Sequence, residues 1–235
     1  MTRAAALALV TALSGCITHT ATREEPQLRA ATNPVEMRAL RADLIETYVR
    51  SGAVELAAPL VREALRDEPK SARLLVLLGA ILLDRGLVGQ AQEQARAALA
   101  FDDTYAAAYA LQGRVEQRRG RPEAAIIAHQ RATELQGGCV RCWNNLGYSL
   151  FLAGRDREAV TAYETALKLD PNARTIYNNL GFAYGRLGDD RAALSAFRQA
   201  LGEADAAKNL ELAHALRSAV ATPPPPPPHP PKELP

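Results

Sequence analysis

The apolar positions of the chain follow three successive regimes. Residues 4–13 hold only Ala, Leu, Val and Thr, an unbroken run behind the positive start Met1-Thr2-Arg3. From Ile17 to about Thr32 the chain turns polar and shows no helical period, which reads as a tether. Asn33-Pro34-Val35-Glu36 then marks a helix start, with Asn at the N-cap, Pro at the first helical position and Glu placed to close a capping box. Beyond it the pattern repeats with a period of about 34 residues. Glycine recurs at Gly79, Gly113, Gly147 and Gly181, and again at Gly52, Gly86, Gly120, Gly154 and Gly188. Alanine keeps step at Ala57, Ala91, Ala125, Ala159 and Ala193, and at Ala64, Ala98, Ala132, Ala166 and Ala200. The Gly52 column suits the turn between two helices of a unit, where a positive φ stops the first helix. The Gly79 column suits a close approach of the two helices, with the alanines as its small facing residues. Pro69 and Pro171 end second helices, because proline cannot continue them. Lys208 to Val220, with Leu210, Leu212, Ala213 and Leu216 in helical spacing, predicts a last helix that caps the stack.

Composition agrees with this all-α reading. Alanine (46) and leucine (32) make up a third of the 235 residues, whereas valine and isoleucine total 17 and aromatic residues 5%, too few for a packed sheet. The formal net charge is +2, so no single-sign field exists to hold a nucleic-acid backbone. The ten-residue apolar run covers about 15 Å as a helix, half a bilayer core, and fits a secretory signal rather than a membrane span. Nine of the 15 prolines fall between Pro223 and Pro235, a composition that builds an extended tail and no core. No phosphate loop, HExxH or nucleophile elbow is present, so no enzymatic activity and no cofactor is expected. His129 stands where Tyr163 and Phe197 stand in later units, which marks it as a core filler.

The signal run closes on Leu13-Ser14-Gly15-Cys16, which resembles the lipobox of bacterial lipoprotein precursors. The resemblance implies removal of residues 1–15, lipidation of Cys16, a tether over 16–33 and, with Ile17 after the cysteine, delivery to the outer membrane on its periplasmic face. Two thiols then remain in Cys139-Val140-Arg141-Cys142. The pair lacks the following His of a haem site and the second ligand pair of a zinc site, so no metal is expected and a structural disulfide is the simplest reading. It falls at the joint Gln136-Gly137-Gly138, where other units carry a proline.

The periodic body is similar to the tetratricopeptide repeat, carried by Trp143…Leu146-Gly147…Ala159…Tyr163…Ala166…Pro171 and Tyr177…Leu180-Gly181…Tyr184…Ala193…Phe197…Ala200. The resemblance implies an all-α, right-handed solenoid of five helix-turn-helix repeats, 38–71, 72–105, 106–139, 140–173 and 174–207, with a cap helix over 208–220, a repeat domain over 34–220 and a tail over 221–235. It also implies a concave groove lined by first helices. In that register stand Arg141, Asn144, Asn145, Tyr148 and Phe151, then Asn178, Asn179 and Phe182, with Arg114 and Gln117 from the third repeat. The paired Asn-Asn-Leu-Gly segments resemble the asparagine ladder of O-linked N-acetylglucosamine transferase repeats, which implies amides that hold an extended peptide; the alternative is that they cap or bridge within their own repeat. Arg114 and Arg141 would favour an acidic segment. The expected partner is therefore a protein, with neither nucleic acid nor a small-molecule substrate, and a membrane reached through the lipid anchor. The ending Ala206-Ala207-Lys208-Asn209-Leu210-Glu211-Leu212-Ala213 is similar to lipoproteins of tight-adherence pilus assembly, related to pilotins, which implies an adaptor for an envelope-assembly partner. An accessory scaffold of a polysaccharide or peptidoglycan synthesis enzyme is the alternative.

Overall fold

A computed structural model of the chain describes residues 33–221; the apolar run, Cys16, the tether and the proline-rich tail lie outside the described residues. Eleven α-helices and no strand occur among them: α1 Pro34–Arg50, α2 Val54–Asp67, α3 Ala72–Asp84, α4 Val88–Phe101, α5 Ala106–Arg118, α6 Pro122–Leu135, α7 Val140–Leu152, α8 Asp156–Leu169, α9 Arg174–Leu187, α10 Asp190–Leu201 and α11 Glu203–Ala221. Short turns join them into hairpins. Within each of the first five hairpins the turn carries a glycine with positive φ, from +69° at Gly120 to +87° at Gly188, as the sequence requires.

The chain divides into two compact units, residues 1–111 and 112–235, with the boundary inside α5. The first unit buries Ile45, Val61, Leu74 and Ile81 against Ala57 and Ala64. The second buries Leu146, Leu150, Tyr163, Ile176 and Leu180 with Ala159 and Ala166, and Phe197 with Ala193, Ala206 and Ala213. The alanine columns work as expected. Their side chains are buried, so each second helix lies close to its neighbours.

Two expectations change in detail. In the second unit the Gly79 column makes room for a ring rather than for backbone. A Cβ at Gly147 would lie 2.6 Å from the Tyr163 ring, one at Gly181 2.6 Å from Phe197, and one at Gly113 2.5 Å from His129. Each ring belongs to the second helix of the same hairpin as its glycine, at the same register in all three. The last helix begins at Glu203, not Lys208, because Gly202 (φ +89°) ends α10 and the acidic Glu203 and Asp205 suit a helix N-terminus. It packs on α9 closely: a Cβ at Gly185 would meet the Ala213 Cβ at 2.5 Å.

At the joint between α6 and α7 the structure joins Cys139 and Cys142 in a disulfide, with Cα atoms 5.2 Å apart. Cys139 is also the N-cap of α7: its Sγ accepts from the Cys142 N–H at 3.1 Å. Two repeats earlier the same register holds Ser71, whose Oγ caps α3 by accepting from Leu74 N–H. The Trp143 indole N–H closes the joint by donating to the Gly137 carbonyl at 2.8 Å. Cys139→Ser therefore supplies the capping oxygen that the protein already uses at Ser71, whereas Cys142→Ser places a hydroxyl at a buried position. Both lose the short cross-link, worth about 2 kcal/mol. Urea titration should find Cys139→Ser less destabilised than Cys142→Ser by about 1 kcal/mol; equal losses would remove the capping role.

Candidate functional site

The candidate site lies wholly in the second unit, on the first helices α7 and α9. Both present an Asn-Asn pair in their second turn and a ring one turn later, because residues three apart share a helix face. The side chains of Tyr148 and Phe151 from α7, Asn178, Asn179 and Phe182 from α9, and Tyr163 from α8 line a cavity of about 190 Å³. Five of the ten groove residues read from the sequence thus meet at one place. Tyr163, a packing residue by its register, contributes its ring to the wall.

The amides run in a chain across the helices. Asn179 donates its Nδ2–H to Asn144 Oδ1 at 3.0 Å, and Asn209 of α11 donates to Asn178 Oδ1 at 2.7 Å. These bonds bridge neighbouring helices, so Asn144 and Asn179 hold each other while Asn179 also lines the cavity. Asn145 is half-buried, and its side chain hydrogen-bonds no protein group among the described residues. Its backbone carbonyl accepts from the buried Ser149 hydroxyl at 3.1 Å, and Ser149 in turn accepts from Gln117 Nε2 at 2.8 Å. Gln117 is therefore a strut between α5 and α7 rather than part of the cavity. Neither Arg114 nor Arg141 lines it: Arg114 acts on the buried His129, and Arg141 stands exposed in the first turn of α7.

The arginine at the site is Arg186, which the sequence did not reveal. Its guanidinium sits 3.6 Å over the Phe151 ring, donates through Nε to both carboxylate oxygens of Asp156 at 2.9 Å, and donates through an Nη to the Phe151 carbonyl and to Asp156. Phe151 is held from ring and backbone at once. Phe182 is braced from behind by Phe197, edge to face at 5.0 Å. Only Tyr148, at 44% exposure, is held loosely. Burial pushes the Tyr163 phenol well above its ordinary range. Tyr184, on the same helix as Phe182, is pushed up to about 12 by burial and by the Glu164 carboxylate, which accepts its O–H at 2.6 Å. Neither phenol ionises near neutrality. The site offers rings and neutral amides, a surface for binding rather than for proton transfer. Among the described residues no group of three or more His, Cys, Asp or Glu side chains could hold a metal ion.

The comparisons with known proteins bear on the repeats. The chain matches the tetratricopeptide repeat family over residues 43–109 and 175–206, and the TPR repeat over 147–188. The stretch 110–146, with His129 and the Gly137-Gly138 joint, lies outside those matches. No curated protein matches the sequence. Among solved structures, one of MamA is 26% identical and aligns over 70% of this chain and 96% of its own, with a TM-score of 0.55. TTC0263, a thermophilic TPR protein of Thermus thermophilus, is 22% identical over 79% of this chain and 100% of its own, with a TM-score of 0.62. These likenesses concern the fold. They lend no support to the narrower resemblance to pilus-assembly lipoproteins. Tetratricopeptide-repeat models match three segments of the chain, the hairpins recur at the repeat period, and the fold is shared: the chain has the all-α solenoid fold of tetratricopeptide repeats.

Proposed function

We propose that the protein is an adaptor that captures an extended segment of another protein in the groove of its second unit, and that it works from a membrane to which Cys16 anchors it. The observation that carries the reading is the meeting of Tyr148, Phe151, Phe182 and the Asn178–Asn179 pair around one cavity. Its volume of about 190 Å³ is smaller than the roughly 300–1,000 Å³ of small-molecule sites, and matches one or two side chains of a peptide. Rings supply contact area at low entropic cost, and neutral amides pair with any peptide unit. An envelope-assembly protein is the partner class this reading favours, since the lipobox-like Leu13-Ser14-Gly15-Cys16 would place the groove in the periplasm.

The test is a double variant, Asn145→Ala with Tyr148→Ala. Neither side chain is committed to a protein hydrogen bond among the described residues, so helical content by circular dichroism should be unchanged. Photo-crosslinked capture in cells, followed by affinity measurement on the captured protein, should show roughly a 10- to 100-fold loss for the pair. Undiminished capture by the folded variant would end the groove reading. The anchor is tested separately. Cys16→Ser should move the protein from the membrane to the soluble fraction, and a mature N-terminus without lipid mass in the wild type would refute it.

A further inference from the structure

The disulfide at the start of α7 takes no part in the groove, and its two sulfurs stand in different surroundings. Cys142 is buried, at 3% exposure, whereas Cys139 is half-buried, and Gln136 to Gly138 before it and Arg141 after it are exposed. The two glycines answer no need of the fold. Neither has a positive φ, and a Cβ would meet nothing within 4 Å at Gly138 and only the Thr133 carbonyl, at an ordinary 3.8 Å, at Gly137. Their effect is to keep side chains off the segment that leads to Cys139, so that another backbone can come close to it.

The surroundings of Cys139 also favour its sulfur as an anion. Its Sγ accepts from the Cys142 N–H at 3.1 Å, at the N-terminus of a helix of 13 residues. The first turn of α7 holds no acidic residue, and the exposed Arg141 in that turn has no ion-pair partner among the described residues. Helix dipole, N–H and guanidinium therefore act together on a negative charge at Cys139. A thiolate there still caps the helix, as the Ser71 hydroxyl caps α3, so opening the bond leaves α7 capped. The bond joins residues only three apart and constrains the unfolded chain little. Opening it costs the fold little and releases a stabilised thiolate, which suits a disulfide that exchanges rather than one that only braces.

We propose that Cys139–Cys142 is a thiol–disulfide exchange site whose substrate is a protein carrying a pair of reduced cysteines. The thiolate of one substrate cysteine attacks Cys139 Sγ, the sulfur of the less buried residue. The Cys139–Cys142 bond breaks, and its electron pair goes to Cys142 Sγ, which takes a proton from water. The second substrate thiol gives its proton to water and attacks the substrate sulfur of the mixed disulfide, expelling Cys139 as a thiolate. The substrate leaves with a new disulfide, oxidised by two electrons, and this chain is reduced by two. The stabilised Cys139 thiolate is a good leaving group in the second step. No groove residue takes part, so the exchange stands apart from peptide capture.

The probe is a reduced synthetic peptide with a cysteine at each end, added in excess to the oxidised full chain. Alkylation and mass spectrometry read the states of Cys139 and Cys142. The folded protein should yield one peptide disulfide per chain, at a rate no more than about tenfold below that of the chain unfolded in urea. Slower exchange would mean that the bond opens only on unfolding, and would overturn the proposal. In the reduced wild type at neutral pH, iodoacetamide should label Cys139 at least about fivefold faster than Cys142. A smaller ratio, or Cys142 labelled first, would overturn Cys139 as the reacting sulfur. Arg141→Glu, at an exposed position, should leave circular dichroism unchanged and slow the labelling of Cys139 about threefold or more at low salt. A smaller effect would overturn the part assigned to the guanidinium.

Discussion

Gly181→Val should destabilise the protein by about 3 kcal/mol, or about 10 °C in melting temperature for a chain of this size. The cause is the ring behind it. A Cβ at Gly181 would stand 2.6 Å from two carbons of Phe197, which is fully buried and braced edge-on by Phe182 at 5.0 Å. The ring cannot yield without displacing its neighbours, and valine adds two further methyls to the clash. Gly154→Ala should behave differently. Nothing lies within 4 Å of a Cβ there, and its cost, about 1–2 kcal/mol, comes only from the left-handed backbone at φ +76°. The two columns are separated by rescue. Phe197→Leu in the Gly181→Val background should recover part of the stability, because it shortens the obstacle. No second substitution can rescue Gly154→Ala, because its cost is in its own backbone. Thermal denaturation of the three variants checks this, and a Gly181→Val protein within about 1 kcal/mol of wild type would refute the ring contact as the reason for the glycine.

That contrast shows which parts of the fold the sequence makes legible. A turn glycine is dictated by its own backbone, so Gly52 and its equivalents can be read without a partner. The role of Gly147 or Gly181 depends on what lies opposite. The repeat period gives the column but does not say whether the space is filled by backbone or by a ring of the following helix. The start of α11 escapes for another reason. The repeat register carries the fifth unit to residue 207, while Gly202 and the acidic Glu203 and Asp205 have already reset the chain. Those three residues are a usable signal, outweighed by the periodicity.

The same limit shapes the site. Tyr148, Phe151, Asn178, Asn179 and Phe182 are legible because corresponding positions of consecutive repeats face the same way. Arg186 is not, because its partners Asp156 and Phe151 belong to the preceding hairpin, and the arginines that share its register, Arg50 and Arg118, give no sign of that contact. Arg114 and Arg141 share the groove register, yet register fixes a face and not a depth. Asn209 falls outside the asparagine columns altogether, since α11 meets α9 out of step with the repeat period; its bond to Asn178 depends on packing. Local chemistry and strict repetition are written in the sequence, whereas contacts that cross between hairpins at unrepeated positions are set by the assembled core.

His129→Phe should make the protein more stable in acid, by about 3 kcal/mol near pH 4. His129 is fully buried on α6, its ring against Gly113, and neither ring nitrogen has a hydrogen-bond partner among the described residues. Burial, with a smaller contribution from the Arg114 charge, lowers its pKa from 6.5 to about 4. The sign follows from linkage. The folded state holds the imidazole neutral, while the unfolded chain takes up a proton below pH 6.5, so stability is complete above 6.5 and declines as pH falls toward 4. Lowering the pKa from 6.5 to about 4 corresponds to about 3 kcal/mol over that interval. Phenylalanine fits the place, since Phe197 and Tyr163 fill the equivalent positions of the next two hairpins against Gly181 and Gly147. It should also add about 1–2 kcal/mol at neutral pH by removing two unpaired buried nitrogens. Urea titrations of both proteins at pH 7.5, 6.0, 5.0 and 4.0 measure the difference, which should widen steadily below pH 6.5. A gap that stays constant across the series would mean that His129 titrates alike in the folded and unfolded states, and would remove it as a source of acid sensitivity.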